Sequence, residues 1–135
     1  MRPGVLGLLA TLLLGAACSD TPGGPDPEAH VGRYQVVSVN GESLPYLALV
    51  VDGRTTHILA GSVTLRADGT ASDTYTFRYT DGLEVIEETT FDQGTYTRSG
   101  EIIDVTWSSG TIESFTYSGD ELTLFDQGYL VKYRK

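Results

Sequence analysis

From residue 31 onward, apolar and polar side chains alternate along short stretches that end in turn-forming residues. Within residues 73–80, the aromatic side chains of Tyr75, Phe77 and Tyr79 fall on one face of an extended chain, and threonine and arginine fall on the other. No stretch of this region carries apolar residues at helical spacing for three turns. The pattern predicts antiparallel strands with one face buried and the other in water.

Residues that tolerate a positive φ separate these stretches. They are Asn40-Gly41, Asp52-Gly53, Asp68-Gly69, Asp81-Gly82, Ser99-Gly100, Ser109-Gly110 and Ser118-Gly119. The predicted strands cover residues 31–39, 46–51, 55–59, 61–66, 70–80, 84–91, 94–98, 102–107, 111–117, 121–125 and 128–134, and some neighbours are continuous. We therefore predict an all-β fold, an antiparallel up-and-down meander of about eight to ten strands that closes into a barrel and so removes its edges.

Residues 44–51 leave two alternatives open. They form a continuous apolar run that fits either a fully buried strand or a short helix plugging one barrel end, and Pro45 permits both. We favour the strand, because Asp52-Gly53 then makes a hairpin with residues 55–59.

The sequence Phe-Asp-Gln-Gly occurs twice, at residues 91–94 and at residues 125–128. We interpret the repeat as chance plus the needs of a turn, with two equivalent barrel corners as the alternative.

Length and charge limit the classes of function. At 135 residues the chain has room for one domain of modest core. The formal charge of −9 becomes −10 when Arg2 is removed with the leader, because every acidic residue follows Cys18. No basic stripe remains to neutralise phosphates, so we expect no nucleic-acid partner. The single cysteine excludes an internal disulfide.

The first residues have the features of an export signal. Met1-Arg2 gives a positive start, and residues 5–14 form an apolar run too short to span a bilayer. Residues 14–18, Leu-Gly-Ala-Ala-Cys, resemble the lipobox of bacterial lipoproteins, in which the cysteine is acylated and becomes the new N-terminus. The alternative is ordinary cleavage near Ala17, which leaves Cys18 as a free thiol.

The chain then divides into three parts. Residues 1–17 are the predicted lipoprotein signal peptide, residues 18–29 the lipidated Cys18 and a Pro- and Gly-rich flexible tether, and residues 30–135 the barrel domain. In such lipoproteins an Asp after the cysteine retains the protein at the inner membrane, and here Ser19 follows. We therefore expect an exported protein anchored by lipid at the cell envelope, at the outer membrane facing the periplasm.

Several segments of the body together resemble a known family. They are residues 32–34 (Gly-Arg-Tyr), 39–45 (Val-Asn-Gly-Glu-Ser-Leu-Pro), 61–70 (Gly-Ser-Val-Thr-Leu-Arg-Ala-Asp-Gly-Thr) and 129–133 (Tyr-Leu-Val-Lys-Tyr). This set resembles the lipocalin-like small lipoproteins of bacteria over most of residues 31–135. The resemblance implies a calycin-type antiparallel barrel, and a protein that holds a small apolar ligand or has no known ligand.

The chain offers few groups for catalysis. His30 lies in the predicted tether and His57 in a predicted strand, so an imidazole metal site is not expected. The acidic cluster Glu84, Glu87, Glu88 and Asp92 alternates between strand faces and matches no calcium loop, so we interpret it as a solvated edge. We predict no catalytic residues, no cofactor and no metal, and hence no enzyme.

One candidate ligand site remains, inside the barrel. Its predicted residues are Tyr75, Phe77, Tyr79, Trp107, Glu113, Phe115 and Tyr117. Glu113 shares strand parity with Phe115 and Tyr117 and faces inward if they do, and an inward carboxylate needs a partner such as Arg33, Arg78 or a tyrosine hydroxyl. The alternative is a position at the wet barrel mouth. The aromatic residues either fill the barrel or line a cavity. A hollow barrel favours a binder of a small, mostly apolar molecule, and a filled one favours a non-catalytic interaction or structural lipoprotein whose protein partner is unknown.

Overall fold

Nine strands and the turns between them make up the fold. The computed structural model describes residues 26–135, so the predicted signal peptide, Cys18 and most of the tether lie outside the described residues. The strands are β1 (Gly32–Val39), β2 (Tyr46–Val51), β3 (Arg54–Leu65), β4 (Thr70–Asp81), β5 (Glu84–Ser99), β6 (Ile102–Trp107), β7 (Ile112–Ser118), β8 (Glu121–Asp126) and β9 (Tyr129–Arg134). Residues 26–135 include no helix with the length and apolar character needed to cross a membrane.

The strands form one antiparallel sheet that closes on itself. Their order is β1-β9-β8-β7-β6-β5-β4-β3-β2, and β1 also pairs with β3. Closure uses only the C-terminal half of β3, from Gly32 opposite Leu65 to Gln35 opposite Ser62. The predicted all-β meander and its closed barrel are confirmed, with eight strands in the barrel and β2 as a ninth outside it.

The N-terminal half of β3 pairs with β2 instead of β1. This pairing runs from Tyr46 opposite Ile58 to Val51 opposite Arg54. A bulge between Ile58 and Ala60 marks the change of partner, and such a bulge bends and twists the strand that carries it. The segments predicted at 55–59 and 61–66 are therefore one bent strand, and β5 likewise joins the segments predicted at 84–91 and 94–98.

β3, β4 and β5 are about twice as long as the other barrel strands. Their outer parts project beyond the barrel and, with β2, form a four-stranded sheet that we call the extension (residues 46–51, 54–60, 75–81 and 84–91). Turns at residues 40–45, 108–111 and 127–128 lie at the same end of the barrel, which we call the open end. Turns at residues 66–69, 99–101 and 119–120 lie at the opposite, closed end.

The barrel interior is solidly packed toward the closed end. Its core consists of alternate residues of the barrel strands, including Tyr34, Val63, Leu65, Ile103, Val105, Phe115, Leu122 and Tyr133, all of them essentially inaccessible to solvent. The Phe115 and Tyr133 rings meet edge to face with their centroids 5.8 Å apart. Such alternation confirms the predicted division into a buried and a wet face, since neighbouring strand residues point to opposite sides.

His30, at the junction of the predicted tether and the barrel domain, is part of the folded body. Its ring is buried at the closed end, where Nδ1 accepts a hydrogen bond from Arg98 at 3.0 Å. Because arginine can only donate, the ring proton must be on Nε2, which lies 3.0 Å from the Tyr96 hydroxyl. Burial, followed by the charge of Arg98, lowers the pKa of His30 and favours this neutral form. The last tether residues therefore cap the barrel through His30.

Residues 46–51 form strand β2, as favoured over a helix. The expectation that this strand is fully buried is wrong. Leu47, Leu49, Val50 and Val51 are each about half exposed, because β2 pairs on one side only and stands outside the barrel. The predicted hairpin at Asp52-Gly53 is present, and both residues have positive φ.

The repeated Phe-Asp-Gln-Gly sequence adopts two different structures. Residues 91–94 continue straight through β5, whereas residues 125–128 end β8 and turn into β9 with positive φ at Gln127 and Gly128. The alternative of two equivalent barrel corners is therefore wrong. Gly94 is needed for a separate reason, since a Cβ at this position would lie 2.2 Å from the carbonyl oxygen of Thr106 on β6.

Replacement of this glycine tests the close approach of β5 to β6. We expect Gly94→Ala to lower the free energy of unfolding by about 2–3 kcal/mol, because backbone atoms must move to admit the methyl group. The control is Gly100→Ala, where a Cβ meets nothing within 4 Å and only the positive φ of +62° is unfavourable, at about 1 kcal/mol. Urea denaturation followed by far-ultraviolet circular dichroism measures both, and equal losses would contradict the steric explanation.

Candidate functional site

A cavity of about 500 Å³ opens at the open end of the barrel, beneath the extension. One wall belongs to the extension and the upper part of β4, and the opposite wall to β7, β8, β9 and the end of β1. The lining residues are Val39, Ala48, Leu49, Thr56, Ile58, Tyr75, Phe77, Glu113, Leu124, Asp126, Gln127, Tyr129 and Val131. Most of this surface is apolar, with a few polar groups from Glu113, Asp126 and the tyrosines.

An aromatic ladder runs along β4 from the barrel interior to the extension. The rings of Tyr75 and Phe77 stack with centroids 6.0 Å apart, and those of Phe77 and Tyr79 stack at 6.2 Å. All three side chains project inward because they occupy alternate positions of one strand. At its lower end the ladder meets the core, where the hydroxyls of Tyr75 and Tyr133 are hydrogen-bonded to each other. The ladder therefore links the packed core to the outer edge of the site.

Glu113 presents a half-buried carboxyl group to the cavity. It shares the inward face with Phe115 and Tyr117 and lies at the open end of the barrel. Its partner is Trp107, which is not among the candidates Arg33, Arg78 or a tyrosine hydroxyl. Trp107 donates from Nε1 to the Glu113 carboxylate at 2.7 Å across the β6–β7 hairpin. Burial raises the pKa of Glu113, and the hydrogen bond from Trp107 opposes that rise. The nearby carboxylates of Asp126 and Asp92 raise it further.

A second inward carboxyl group, that of Asp73, lies on the same face of β4 as Tyr75. Asp73 accepts a hydrogen bond from the backbone N–H of Asp92 on β5 at 3.0 Å. Burial raises the pKa of Asp73 to about 6 despite this bond, and the charge of Glu113 contributes. The charged neighbours that shift Asp73 and Glu113 are thus carboxylates, and none of those named is a cation.

The basic side chains of residues 26–135 lie outside this cavity. Arg78 pairs with Glu87 on the outer face of the extension at 2.7 Å, and Lys132 and Arg134 both approach Glu121 on the outer barrel wall. Arg54 pairs with Asp81 at the tip of the extension. Among the described residues, no Lys, Arg or His lines the cavity. The carboxyl groups of the lining, Glu113 and Asp126, therefore have no basic side chain beside them in that lining.

Tyr129 joins the two walls of the cavity at its rim. Its hydroxyl donates to the carbonyl oxygen of Ala48, the bulged residue of β2, at 2.7 Å. Its ring meets that of Tyr46 edge to face at 6.3 Å, and the Tyr46 hydroxyl accepts from the Asn40 side chain at 3.0 Å. β2 is thus fixed to β9 by side chains where backbone pairing is absent.

The predicted site residues divide between the cavity and the packed core. Tyr75, Phe77 and Glu113 line the cavity, and Tyr79 lies farther out on the same ladder. Trp107 contributes through Glu113, whereas Phe115 is fully buried in the core. Tyr117 lies at the closed end, under the guanidinium of Arg98 and beside His30.

Sequence reasoning missed Asp73, Leu49, Ile58 and Asp126. The parity of Asp73 with the aromatic ladder was the available signal, since a carboxyl on an apolar strand face is unusual. The other residues join the site through the pairing of β3 with β2 and the position of the β8–β9 turn, which local patterns do not specify.

The other titratable residues singled out in the sequence lie away from the cavity. His57 sits on the outer face of β3 opposite Leu47 and Arg78, and its Nδ1 is buried without a hydrogen-bond partner. Glu87 and Glu88 point to opposite faces of β5, as predicted, with Glu87 bound to Arg78. Within the described part of the chain, no group of three or more His, Cys, Asp or Glu side chains is arranged to hold a metal ion.

The fold is similar to that of a protein of known structure. No protein-family model matches the sequence, and no curated protein matches it. The chain is similar to the crystal structure of the Cpx pathway activator NlpE from Escherichia coli, with 20% sequence identity and a TM-score of 0.43. The similarity covers 72% of this chain and 42% of that chain, so this chain spans less than half of its neighbour's length. The fold assignment therefore depends on the strand pairing described above.

The raised pKa of Asp73 gives a testable dependence of stability on pH. Between its ordinary value of 3.8 and its folded value of about 6, the native state binds more protons than the unfolded state. The free energy of unfolding therefore falls as pH rises through this window. Asp73→Asn keeps an oxygen to accept from Asp92 and removes the charge. We expect it to stabilise the protein by about 1–3 kcal/mol near pH 8 and by little near pH 4.

Urea denaturation of the wild type and the variant at both pH values measures this effect. Asp52→Asn removes the same charge from an exposed turn and serves as the control for net charge. An equal difference between wild type and Asp73→Asn at the two pH values would contradict a protonated interior Asp73.

Proposed function

We propose that this protein is a lipid-anchored cell-envelope protein that binds a small, mostly apolar molecule in the cavity at the open end of its barrel. The observation that carries the proposal is the cavity itself, which combines a mostly apolar lining with Glu113 and a small number of other polar groups. Ligand sites in proteins commonly have this composition, and about 500 Å³ lies within their usual range of roughly 300–1,000 Å³.

The distribution of packing within the barrel favours a binder over a protein with a solid core. A filled interior was the expectation for an interaction or structural lipoprotein. Here the buried core reaches Val39 and Trp107 near the open end, and the cavity lies beyond it, between the extension and strands β7 to β9. Leu49, Phe77 and Tyr129 are part of its lining. Their apolar surface remains available to a ligand, and its removal from water would contribute to binding.

The inward carboxyl groups fit a binding role better than a catalytic one. Trp107 donates to Glu113, and the backbone of Asp92 donates to Asp73, so each is held by an N–H donor. Such fixed groups orient the polar part of a ligand. We therefore propose a non-catalytic protein.

Anchoring at Cys18 would direct the cavity away from the membrane. The described chain begins beside the closed end, where residues 26–30 form a turn and His30 is buried. Cys18 precedes this turn, and Ser19 in place of Asp supports the outer membrane of a two-membrane cell as the site of anchoring. With the lipid attached beyond the closed end, the cavity would open into the aqueous periplasm.

Adjacent residues of β2 allow a matched test of the cavity. Leu49 lines the cavity and Val50 points to the outer face, and they are 53% and 58% exposed. We expect Leu49→Trp to fill the cavity and weaken binding of the neutral apolar dye Nile red at least about tenfold, with Val50→Trp unchanged. Fluorescence titration measures both. Equal affinities would place the dye elsewhere and contradict the proposed site.

Substitution of Cys18 tests the anchor. We expect the wild-type protein to fractionate with membranes and Cys18→Ser to remain soluble or unprocessed, because stable anchoring requires acyl chains. Mass spectrometry of the mature N-terminus identifies the acylated cysteine directly. A soluble wild-type protein whose Cys18 reacts with maleimide would instead demonstrate ordinary signal-peptide cleavage.

A further inference from the structure

We propose that the ligand of this cavity is an organic cation, with an apolar body against the aromatic ladder and a protonated nitrogen held by Glu113. This inference rests on the proposed binding function and adds the chemical class of the ligand. It follows from three features of the cavity: the signs of its charges, the positions of its aromatic rings, and the incomplete solvation of its carboxyl group.

The charges of the cavity are of one sign. Its two ionisable carboxyl groups belong to Glu113 and Asp126, and its described lining contains no basic side chain. Asp73 and Asp92 add negative charge close by, since Glu113 acts on Asp73 and Asp92 acts on Glu113. An anionic ligand such as a fatty acid would enter a field of like charge, which is unfavourable at short range in a partly desolvated site. A cation would be attracted by every charged group of the lining.

Glu113 lacks a cationic partner although it is half buried. A carboxylate removed from water is unstable unless it is paired or well hydrogen-bonded. Among residues 26–135, the side chain that donates a hydrogen bond to Glu113 is Trp107, from Nε1 to Oε2, and a carboxylate has capacity for several more. A protonated nitrogen at the cavity would supply both charge and hydrogen bonds. The free protein thus carries an electrostatic cost that a cationic ligand would remove.

The aromatic residues of the lining suit the same class of ligand. Tyr75 and Phe77 lie on one wall and Tyr129 on the other, with Glu113 also in the lining. Aromatic faces attract cations and also cover apolar groups. Leu124, Ile58 and Leu49 complete an apolar surface for the ligand body. A small amine with an alkyl or aromatic body would match both parts of the cavity.

A series of probes with one body and three head groups tests the inference. Decylamine, decan-1-ol and sodium decanoate share the alkyl chain and are cationic, neutral and anionic near neutral pH. Isothermal titration calorimetry below the aggregation limit of each probe measures the affinities. We expect the amine to bind about 10- to 100-fold more tightly than the alcohol, as a charge-assisted hydrogen bond allows, and decanoate to bind most weakly. Trp107, the sole tryptophan of the chain, gives an independent fluorescence signal beside Glu113.

Substitutions test whether Glu113 is responsible for the preference for the amine. Glu113→Gln keeps an acceptor for Trp107 and removes the charge, so the amine should fall to the affinity of the alcohol while the alcohol is unaffected. Glu101→Gln removes the same charge from an exposed turn at the closed end and should leave the preference intact. If Glu113→Gln fails to fold, Asp126→Asn at the rim should still lower the amine preference, by a smaller factor, without changing the alcohol.

The outcomes separate this inference from the proposed function. Equal binding of the three probes, or tightest binding of decanoate, would overturn the cation inference and leave an apolar binding site in place. Failure of all three probes to bind would count against both. A preference for the amine that survives in Glu113→Gln and Asp126→Asn would also overturn the assignment, because the charge would then be recognised elsewhere.

Discussion

The pairing of one long strand with two partners along the same edge determines the architecture of this protein. β3 closes the barrel against β1 through its C-terminal half and carries β2 on its N-terminal half. Closure satisfies the backbone groups of the barrel, which an open sheet would leave at its edges. It involves only Gly32 to Gln35 of β1, and beyond this pairing the remaining lengths of β3, β4 and β5 project from the barrel. The packed core, the open end and the cavity beneath the extension all result from this difference in strand length.

The two edges of the extension lack a neighbouring strand, and different side chains protect them. On the β2 edge the Tyr129 hydroxyl binds the Ala48 carbonyl and so links the edge to β9. The β5 edge is acidic, with Glu84, Glu87 and Glu88 exposed, and charge of this kind discourages pairing with other strands. The cavity is thus bordered by one edge that is tied to the barrel and one that is protected by charge.

Local sequence patterns were sufficient for the strands and their turns, because alternation and positive-φ residues act over a few neighbouring positions. The inward orientation of Glu113 followed from the same parity. Local patterns could not specify which strands pair with each other or how many residues each pairing includes. Residues 91–94 and 125–128 have the same sequence, yet one set is strand and the other a turn, because neighbouring strands decide the outcome. The hydrogen bond from Trp107 to Glu113 depends on the β6–β7 register, and the burial of His30 on contacts with β5 and β7. Most of the cavity lining therefore came from residues that sequence reasoning did not select.

The cap at His30 has a consequence for how a ligand could reach the protein. Eight residue steps separate Asp26 from Cys18, and they can span at most about 28 Å. A lipid on Cys18 would tether the protein through the end that carries His30, opposite the entrance to the cavity. With that end toward the bilayer, a molecule dissolved in the membrane would have to cross water before it reached the entrance. Under this arrangement the protein would take up its ligand from solution, at a rate set by the free aqueous concentration of the ligand.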